Sequence, residues 1–407
     1  MSLQELPVVP PVAPMLAKLE RELPAGDYIY EPKWDGFRCI VFRSGPAVEL
    51  ASRNELSLTR YFPELVTTLQ DFLPEKVVVD GEVVVAGPKG LDFDLLSQRV
   101  HPAESRVRML AEKTPASFVA FDLLALGGRD LRGEPFHERR RLLEGIFKEP
   151  VNGAEKRRTT APSVQLTPAT RDRSLANDWF RRFEGAGLDG VVAKPEKLPY
   201  VAGKRLMTKV KHERTADFVV AGFRFFREAS GSGSSGSHEP LLGSLMLGLY
   251  DAEGKLAHVG VIGSFPAAER RALLEVVAPY RYGQETVTQE GGAEEGGGGK
   301  GGPAGALAEH PWASWAAAST NGARLPGARS RWNAGKDLSF EPLRPELVVE
   351  AAYEHLQGER LRHTAHFKRW RPDRSARSCT YDQLEAAVPI ELAEVFGTAP
   401  ATAQSER

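Results

Sequence analysis

The sequence has little cysteine, no long apolar run and no excess of either charge. Its 407 residues include only two cysteines, Cys39 and Cys379, too few for a disulfide framework or a four-cysteine zinc site. No apolar stretch approaches the roughly 18 residues that a membrane helix needs. The N-terminus lacks a basic stretch followed by an apolar one, so no secretory signal is evident. These absences argue against secreted and membrane proteins, and they predict a cytoplasmic protein.

The net charge of −1 conceals two basic segments. Residues 197–214 carry six lysines and arginines against one glutamate, and residues 359–377 carry seven against two acidic residues. Basic patches on a neutral chain fit a polyanion bound in a groove. The alternative is two solvated surfaces without a ligand.

The first half of the chain alternates buried strands with amphipathic helices. Residues 77–86, 117–126 and 187–195 predict strands, whereas 136–148 and 174–187 predict helices. The mixture predicts an α+β domain.

From about residue 215 the chain changes to short strands, interrupted by one helix over 265–280. That order is typical of a small β-barrel such as an OB-fold. Two glycine-rich segments interrupt this part of the chain, and the second of them contains Lys300. Gly301 follows this lysine where a phosphate-binding P-loop needs serine or threonine, so we interpret the segment as a flexible insertion. The predicted organisation is a first domain at 1–214, a barrel domain at 215–390 with insertions at 229–239 and 288–306, and a tail at 391–407.

The stretch "EPKWDGFR" (31–38) places Lys33 among apolar and aromatic residues. One interpretation is a strand end that turns at Asp35 and Gly36, with the lysine reaching water. The other is a nucleophile. An ordinary lysine has a pKa near 10.4 and is protonated at neutral pH, but apolar surroundings and nearby cations favour the uncharged, reactive amine.

Six further motifs follow this lysine and favour the second interpretation. In chain order they are "SRNELSLTRYFPEL" (52–65), "VVDGEVVV" (78–85), "FVAFDLL" (118–124), "LDGVVAKP" (188–195), "MTKVKHERTADFVV" (207–220) and "RWRPDR" (369–374). The series resembles the covalent nucleotidyltransferases and, within them, the C-type bacterial ATP-dependent DNA ligases. The resemblance spans roughly residues 8–390. It implies an adenylation domain of antiparallel sheets flanked by helices, ATP-grasp-like, followed by a C-terminal OB-fold barrel.

The resemblance also implies a covalent mechanism centred on lysines. Lys33 attacks the α-phosphorus of ATP, releases pyrophosphate and carries AMP as a phosphoramidate. Lys209 and Lys211 hold the α-phosphate as its charge grows. Lys194 is expected to approach the same phosphate.

The nucleotide is expected to meet residues from four of the motifs. By resemblance, Glu31 lies at the adenine edge and Phe121 stacks on the base. Arg38 and Glu82 contact the ribose, and Arg53 meets the 5′-phosphate of the nick or the sugar of the nucleotide.

Magnesium and pyrophosphate complete the implied site. Asp189 and Glu82 are the candidate ligands for Mg²⁺, with Mn²⁺ as a substitute. Asp189 is one methylene shorter than the glutamate usual at that position in the family. Arg371, Asp373 and Arg374 belong to a motif on the barrel domain that orients the departing pyrophosphate.

The substrate implied is nicked double-stranded DNA, sealed by a nucleoid-associated monomer that functions in DNA repair without contact with a membrane. A gap-filling primase-polymerase or an end-binding protein is the expected partner. Two other functions stay open on the residues alone. One is an mRNA-capping guanylyltransferase, which shares the lysine motif, and the other is a non-catalytic nucleic-acid-binding protein.

Overall fold

The protein is described here by a computed structural model. The described residues are 2–88, 90–148, 164–226, 240–282, 310–312, 339–354, 356–357, 359–384 and 392–396. Both predicted glycine-rich insertions, 229–239 and 288–306, lie outside them. Within the described part of the chain, no helix combines the length and the apolar character needed to span a bilayer.

The chain divides into two compact units. The first comprises residues 1–212 together with 387–407, and the second comprises residues 213–386. The division falls two residues before the end of the first predicted domain. The described residues 392–396 of the predicted tail belong to the first unit.

The first unit, called the adenylation unit below, is built from strands with helices around them. Its strands are β1 (Leu16–Glu20), β2 (Tyr28–Lys33), β3 (Phe37–Ser44), β4 (Ala47–Ser52), β5 (Lys76–Val84), β6 (Ala86–Gly87), β7 (Gly90–Leu91), β8 (Ser117–Leu126), β9 (Arg129–Asp130), β10 (Val164–Leu166), β11 (Gly190–Pro195) and β12 (Arg205–Lys211). Its helices before the barrel are α1 (Pro63–Phe72), α2 (Phe93–Arg99), α3 (Glu104–Lys113), α4 (Phe136–Lys148) and α5 (Arg173–Arg182), with 3₁₀ turns at Leu3–Glu5, Thr59–Tyr61 and Phe183–Ala186.

Two sheets form the body of the adenylation unit. One has the order β1-β12-β11-β2, and the other has the order β10-β8-β5-β3-β4 with β9 paired to β8. The pairs are antiparallel except for β1 with β12 and β10 with β8. The runs in β5 and β8 are almost continuously apolar because both strands are buried in the middle of the second sheet. The α+β fold with largely antiparallel sheets is confirmed.

The second unit, called the barrel unit, contains a five-stranded antiparallel sheet. Its strands are β13 (Arg214–Phe225), β14 (Leu242–Tyr250), β15 (Leu256–Ile262), β16 (Glu341–Tyr353), β17 (Leu356–Gln357), β18 (Arg360–Leu361) and β19 (His366–Trp370). Helix α6 (Arg270–Val277) is flanked by 3₁₀ turns at Ala267–Glu269 and Ala278–Tyr280, and further 3₁₀ turns follow at Ala376–Ser378 and Tyr381–Gln383. A short helix, α7 (Leu392–Val395), follows and belongs to the adenylation unit.

The strand order of the barrel unit is that of an OB-fold. The order is β15-β14-β13-β16-β19, and a parallel bridge between Ile262 and Ala365 joins β15 to the start of β19. Helix α6 lies between β15 and β16 along the chain. Phe218, Phe223 and Trp312 fill the interior with no exposed surface. The pattern of short strands around one helix therefore forms the small barrel that the sequence predicts.

Candidate active site

Sheet register aligns three of the motifs in one sheet of the adenylation unit. Two rows cross neighbouring strands: Lys33–Gly190–Lys211 and, two residues along each strand, Glu31–Val192–Lys209. Side chains two residues apart on a strand point to the same face. Segments up to 180 residues apart in sequence thereby bring their functional groups to one face of one sheet.

The glycines of two Asp-Gly pairs, Gly36 and Gly190, are needed for close backbone approach. A Cβ on Gly190 would lie 2.0 Å from the carbonyl oxygen of Val210, and the residue has a φ of +143°. A Cβ on Gly36 would lie 2.2 Å from the carbonyl oxygen of Val83. A larger residue at either position would force the strands that carry the motifs apart.

Lys33 is the last residue of β2, and its ammonium group is paired with a carboxylate. Lys33 Nζ lies 2.5 Å from Asp189 Oδ2 and donates to the backbone carbonyl of Trp34 at 3.5 Å. Lys211 Nζ lies 3.3 Å from the same Asp189 oxygen. The Asp189 backbone amide also donates to the Lys33 carbonyl at 3.0 Å. Asp189 therefore joins the proposed nucleophile to one of its two neighbouring lysines.

A second group of charges lies two residues further back on β2. Glu31 is 2% exposed, with Lys194 Nζ at 2.7 Å and Arg140 Nη1 at 3.2 Å from its two carboxylate oxygens. Lys194 also donates to the Phe121 carbonyl at 3.0 Å and lies 4.7 Å from the centre of the Phe121 ring. Lys194 is thus grouped with the residues expected to meet adenine, and the structure gives it no contact with Lys33. Its expected approach to the α-phosphate stays a prediction.

Arg38 and Glu82 face each other across β3 and β5. Arg38 makes two hydrogen bonds of 2.6 Å to Asp80, and Asp80 also accepts a hydrogen bond of 2.7 Å from the Tyr200 hydroxyl. Burial raises the pKa of Glu82 to about 7, against the opposing effect of Arg38. Arg38 also lies 4.5 Å from the Phe121 ring centre. Its expected contact with the ribose stays a prediction.

These side chains surround a cavity of about 300 Å³. Eight of the residues predicted from sequence line it: Glu31, Lys33, Arg38, Arg53, Glu82, Phe121, Lys194 and Lys209. Asp189 lies beside the cavity because it contacts Lys33, and Lys211 lies beside it because it contacts Asp189. Apolar side chains such as Met15, Val192 and Met207 complete the lining. Cationic groups together with an apolar, aromatic lining suit a nucleotide, with its phosphates expected toward Lys33.

The remaining predicted residues form a separate cluster in the barrel unit. Arg371 Nη1 lies 3.0 and 3.1 Å from the two carboxylate oxygens of Asp217, and its Nη2 lies 2.8 Å from Asp373. Arg371 lowers the pKa of Asp373 to about 2. Arg374 Nε is 3.1 Å from Asp217 Oδ2, an ion pair without the alignment of a hydrogen bond. The structure therefore brings the three motif residues together around Asp217.

The carboxylates of Asp189 and Glu82 suit a magnesium ion that is bound by protein and nucleotide together. In the part of the chain that the structure describes, they do not form a site that binds the ion through protein ligands alone. Among the described residues, no group of three or more His, Cys, Asp or Glu residues could enclose a metal. Mg²⁺ is commonly bound by one or two carboxylates together with substrate phosphates and water. Asp189 and Glu82 supply oxygen ligands of that kind.

Comparison with known proteins agrees with this geometry. Residues 12–211 match the family model for the ATP dependent DNA ligase domain. DNA ligase C of Mycobacterium tuberculosis is 51% identical over 393 residues, which cover 96% of this chain and 98% of that protein. The chain belongs to the ATP-dependent DNA ligases. A more distant relative, the multifunctional non-homologous end joining DNA repair protein LigD of the same organism, is 33% identical over 66% of this chain and 32% of its own length.

Among solved structures, Pmar-Lig_PreS3 shares the fold of this ligase. It has a TM-score of 0.51 and 16% identity, covering 89% of this chain and 68% of that one. Family membership decides between the functions that the residues alone left open. It favours DNA ligation over guanylyl transfer and over nucleic-acid binding without catalysis.

Sequence reasoning did not identify the charged partners of the ligase motifs. Asp80, Arg140 and Asp217 each contact a predicted site residue yet carry no family role in the sequence interpretation. Asp80 had a local signal, because it lies two residues before Glu82 on a buried strand and so shares its face. Arg140 and Asp217 had none, since their partners are more than 100 residues away.

Proposed function

We propose that this ligase seals nicks in duplex DNA with Lys33 as the nucleophile of the first of three steps. The Lys33 nitrogen attacks the α-phosphorus of ATP, a P–N bond forms, and the P–O bond to the departing pyrophosphate breaks. AMP then passes to the 5′-phosphate of the nick, and the 3′-hydroxyl displaces it as the strands join. The observation that carries this proposal is the position of Lys33 at the cavity, 2.5 Å from Asp189.

Asp189 prepares the amine for attack. A lysine must lose a proton before its nitrogen can form a bond to phosphorus. The 2.5 Å contact places the Asp189 carboxylate within reach to orient the amine and accept that proton. Lys209 and Lys211 lie on β12, on the other side of β11 from Lys33. Both are placed to stabilise the negative charge that develops on the α-phosphate.

The paired charges on β2 and β11 favour adenine over guanine. Adenine offers an amino group that donates and a ring nitrogen, N1, that accepts, and guanine reverses both. A carboxylate beside an ammonium group, as in Glu31 and Lys194 at 2.7 Å, complements the adenine pattern. Guanine would place its carbonyl oxygen against the carboxylate and its N–H against the ammonium. Phe121, beside this pair, provides the surface on which the base stacks.

Asp189 and Glu82 would hold Mg²⁺ together with the phosphates of ATP, and Mn²⁺ would substitute for it because it uses similar ligands. When bound, the ion neutralises phosphate charge in the transition state. Arg371, Asp373 and Arg374 act in the same step by orienting the pyrophosphate. Arg53 contacts the 5′-phosphate of the nick or the sugar, and Arg38 and Glu82 contact the ribose.

The biological setting we propose is DNA repair on the nucleoid in the cytoplasm. One relative, LigD, is named as a DNA repair protein, which supports this assignment. The ligase would act as a monomer together with a gap-filling primase-polymerase or an end-binding protein that delivers the nick.

Nick sealing with ATP and magnesium tests the function, and intact-protein mass tests the nucleophile. The wild-type chain should gain the mass of one AMP from ATP, and the adduct should be stable to base and labile to acid. Lys33→Ala should form no adduct and seal no nick, whereas Lys113→Ala, at an exposed end of α3, should behave as wild type. AMP on another lysine would overturn the assignment of Lys33. Labelling by GTP in place of ATP would favour a guanylyltransferase.

A further inference from the structure

The residues that follow the barrel unit in sequence belong to the adenylation unit. Residues 392–396, called the C-terminal segment below, comprise α7 and Phe396. Val395 is 3% exposed and lies in an apolar cluster with Trp34, Phe183 and Leu188. Leu392 and Phe396 pack against the same cluster. A segment that follows the barrel in sequence is therefore part of the apolar cluster that contains Trp34 of the lysine motif.

Phe396 in this segment contacts Trp34, the residue after Lys33. The rings of Phe396 and Trp34 are stacked, with centres 5.1 Å apart and planes 15° from parallel. On its polar edge, Trp34 Nε1 donates to Thr167 Oγ1 at 2.8 Å. Trp34 is 5% exposed. The indole is thus fixed by a hydrogen bond at its edge and by Phe396 against its face.

Trp34 in turn contacts the nucleophile. Its backbone carbonyl accepts the hydrogen bond from Lys33 Nζ at 3.5 Å, and Trp34 lines the same cavity as Lys33. Thr167 connects Trp34 to the residues expected to contact adenine. Its carbonyl accepts a hydrogen bond of 2.8 Å from Arg140, which also contacts Glu31. A shift of Trp34 would therefore move the group that, with Asp189, holds the lysine amine.

We propose that the C-terminal segment is a positioning element of the adenylation site, in which Phe396 fixes Trp34 and Trp34 fixes Lys33. The proposal rests on the proposed function of Lys33. Its consequence is that formation of the lysyl-AMP depends on residues that lie beyond the barrel in sequence. Sealing of a nick that already carries AMP does not use the attack of Lys33 on ATP, so it should depend on the segment much less.

The test compares these two steps in full-length variants. Phe396→Ala should slow lysyl-AMP formation about tenfold under rapid-quench conditions, because small misplacements of a reacting group are costly. Sealing of a pre-adenylylated nick should change by less than about twofold. Phe396→Tyr keeps the stacked ring and should restore the first step. Phe226→Ala removes the same ring from an exposed position in the barrel unit and should change neither step.

A second variant and a double-mutant cycle separate positioning from folding. Phe396→Leu keeps apolar volume but removes stacking, so it should show the same step-specific loss with a melting temperature near wild type. The double variant Trp34→Ala/Phe396→Ala should form lysyl-AMP only slightly more slowly than Trp34→Ala alone, because Phe396 acts on Lys33 through Trp34. Equal losses in both steps, or a normal adenylylation rate in Phe396→Ala, would overturn the positioning role. Failure of the wild-type chain to form lysyl-AMP would instead overturn the proposed function.

Discussion

The adenylation unit and the barrel unit each hold two cations on one carboxylate, but they support them differently. In the adenylation unit Asp189 contacts Lys33 on β2 and Lys211 on β12, the two strands that flank β11 in one sheet. In the barrel unit Asp217, on β13, contacts Arg371 and Arg374, which lie in the loop after β19. The same charge pattern is thus built once on a sheet and once on a loop.

The difference in support agrees with the two proposed roles. The side chains of Lys33 and Asp189 are 19% and 7% exposed, and strand register sets their separation. Arg374 and Asp373 are 37% and 62% exposed. A nucleophile benefits from a fixed position, whereas a group that orients a leaving pyrophosphate in only one step benefits from a support that can release it. The predictions below probe this contrast, from the largest expected effect to the smallest.

The barrel arginines should act on the first chemical step only. Arg374→Ala and Arg371→Ala should each slow lysyl-AMP formation about 100-fold, the usual order for losing one preorganised charge at a developing anion. Sealing of a pre-adenylylated nick should change little. Arg377→Ala, which removes an exposed arginine bonded to the Gly254 carbonyl, is the matched control. An adenylylation rate at the wild-type level in Arg374→Ala would refute the role in orienting pyrophosphate.

The buried pair on β2 and β11 should control the choice of nucleobase. Glu31→Gln should reduce the preference for ATP over GTP about tenfold, because an amide can both donate and accept. The measurement is the rate of adduct formation with each nucleotide at matched subsaturating concentration. Glu144→Gln changes the more exposed partner of Arg140 and should keep the preference. An unchanged ratio in Glu31→Gln would place base recognition elsewhere.

The barrel unit should lose stability in mild acid because of a buried histidine. Burial, followed by Arg360 and Arg224, lowers the pKa of His258 to about 3. The unfolded chain therefore binds the proton more readily between pH 6.5 and 3, and stability is lost as pH falls through that range. The loss from pH 7 to pH 5 is expected to be about 2 kcal/mol.

Thermal melts at pH 7 and pH 5 test this, with His258→Gln as the variant. The glutamine side chain can still accept the hydrogen bond from Arg360 but cannot be protonated in this range. Its melting temperature should therefore fall less on acidification than that of the wild type. Parallel pH dependence in the two proteins would assign the acid sensitivity to other groups.

The smallest effect is expected from the glycine-rich insertion at 288–306, which should contribute little to the affinity for nicked DNA. Residues 285–305 lie outside the described residues, and their sequence contains nine glycines, four glutamates and one cation, Lys300. Such a composition cannot offset its ordering entropy, and its charge opposes binding to phosphates. Replacing 288–303 with a short Gly-Ser link should change nick affinity less than about threefold, or 0.7 kcal/mol. A tenfold loss at fixed salt would show that this segment grips DNA.

Local patterns in the sequence determined the elements and the motifs of this ligase. The amphipathic run 136–148 and the apolar run 117–126 are α4 and β8 with the same bounds. Eight predicted site residues line one cavity; all but Arg53 lie on strands, and short motifs that resemble those of a known family indicated each of them. Such information is carried by residues within a few positions of each other, so it can be seen without the fold.

Only the tertiary structure decided which charges are paired. The contacts of Lys33 with Asp189, Arg38 with Asp80 and Arg371 with Asp217 join residues 156, 42 and 154 positions apart. A strand pattern shows which face a side chain occupies, but the neighbouring strand and its register follow from packing of the whole unit. The contact of Phe396 with Trp34 is another such case. No periodicity near residue 396 indicates a partner at residue 34, because that pairing depends on where the chain returns after the barrel.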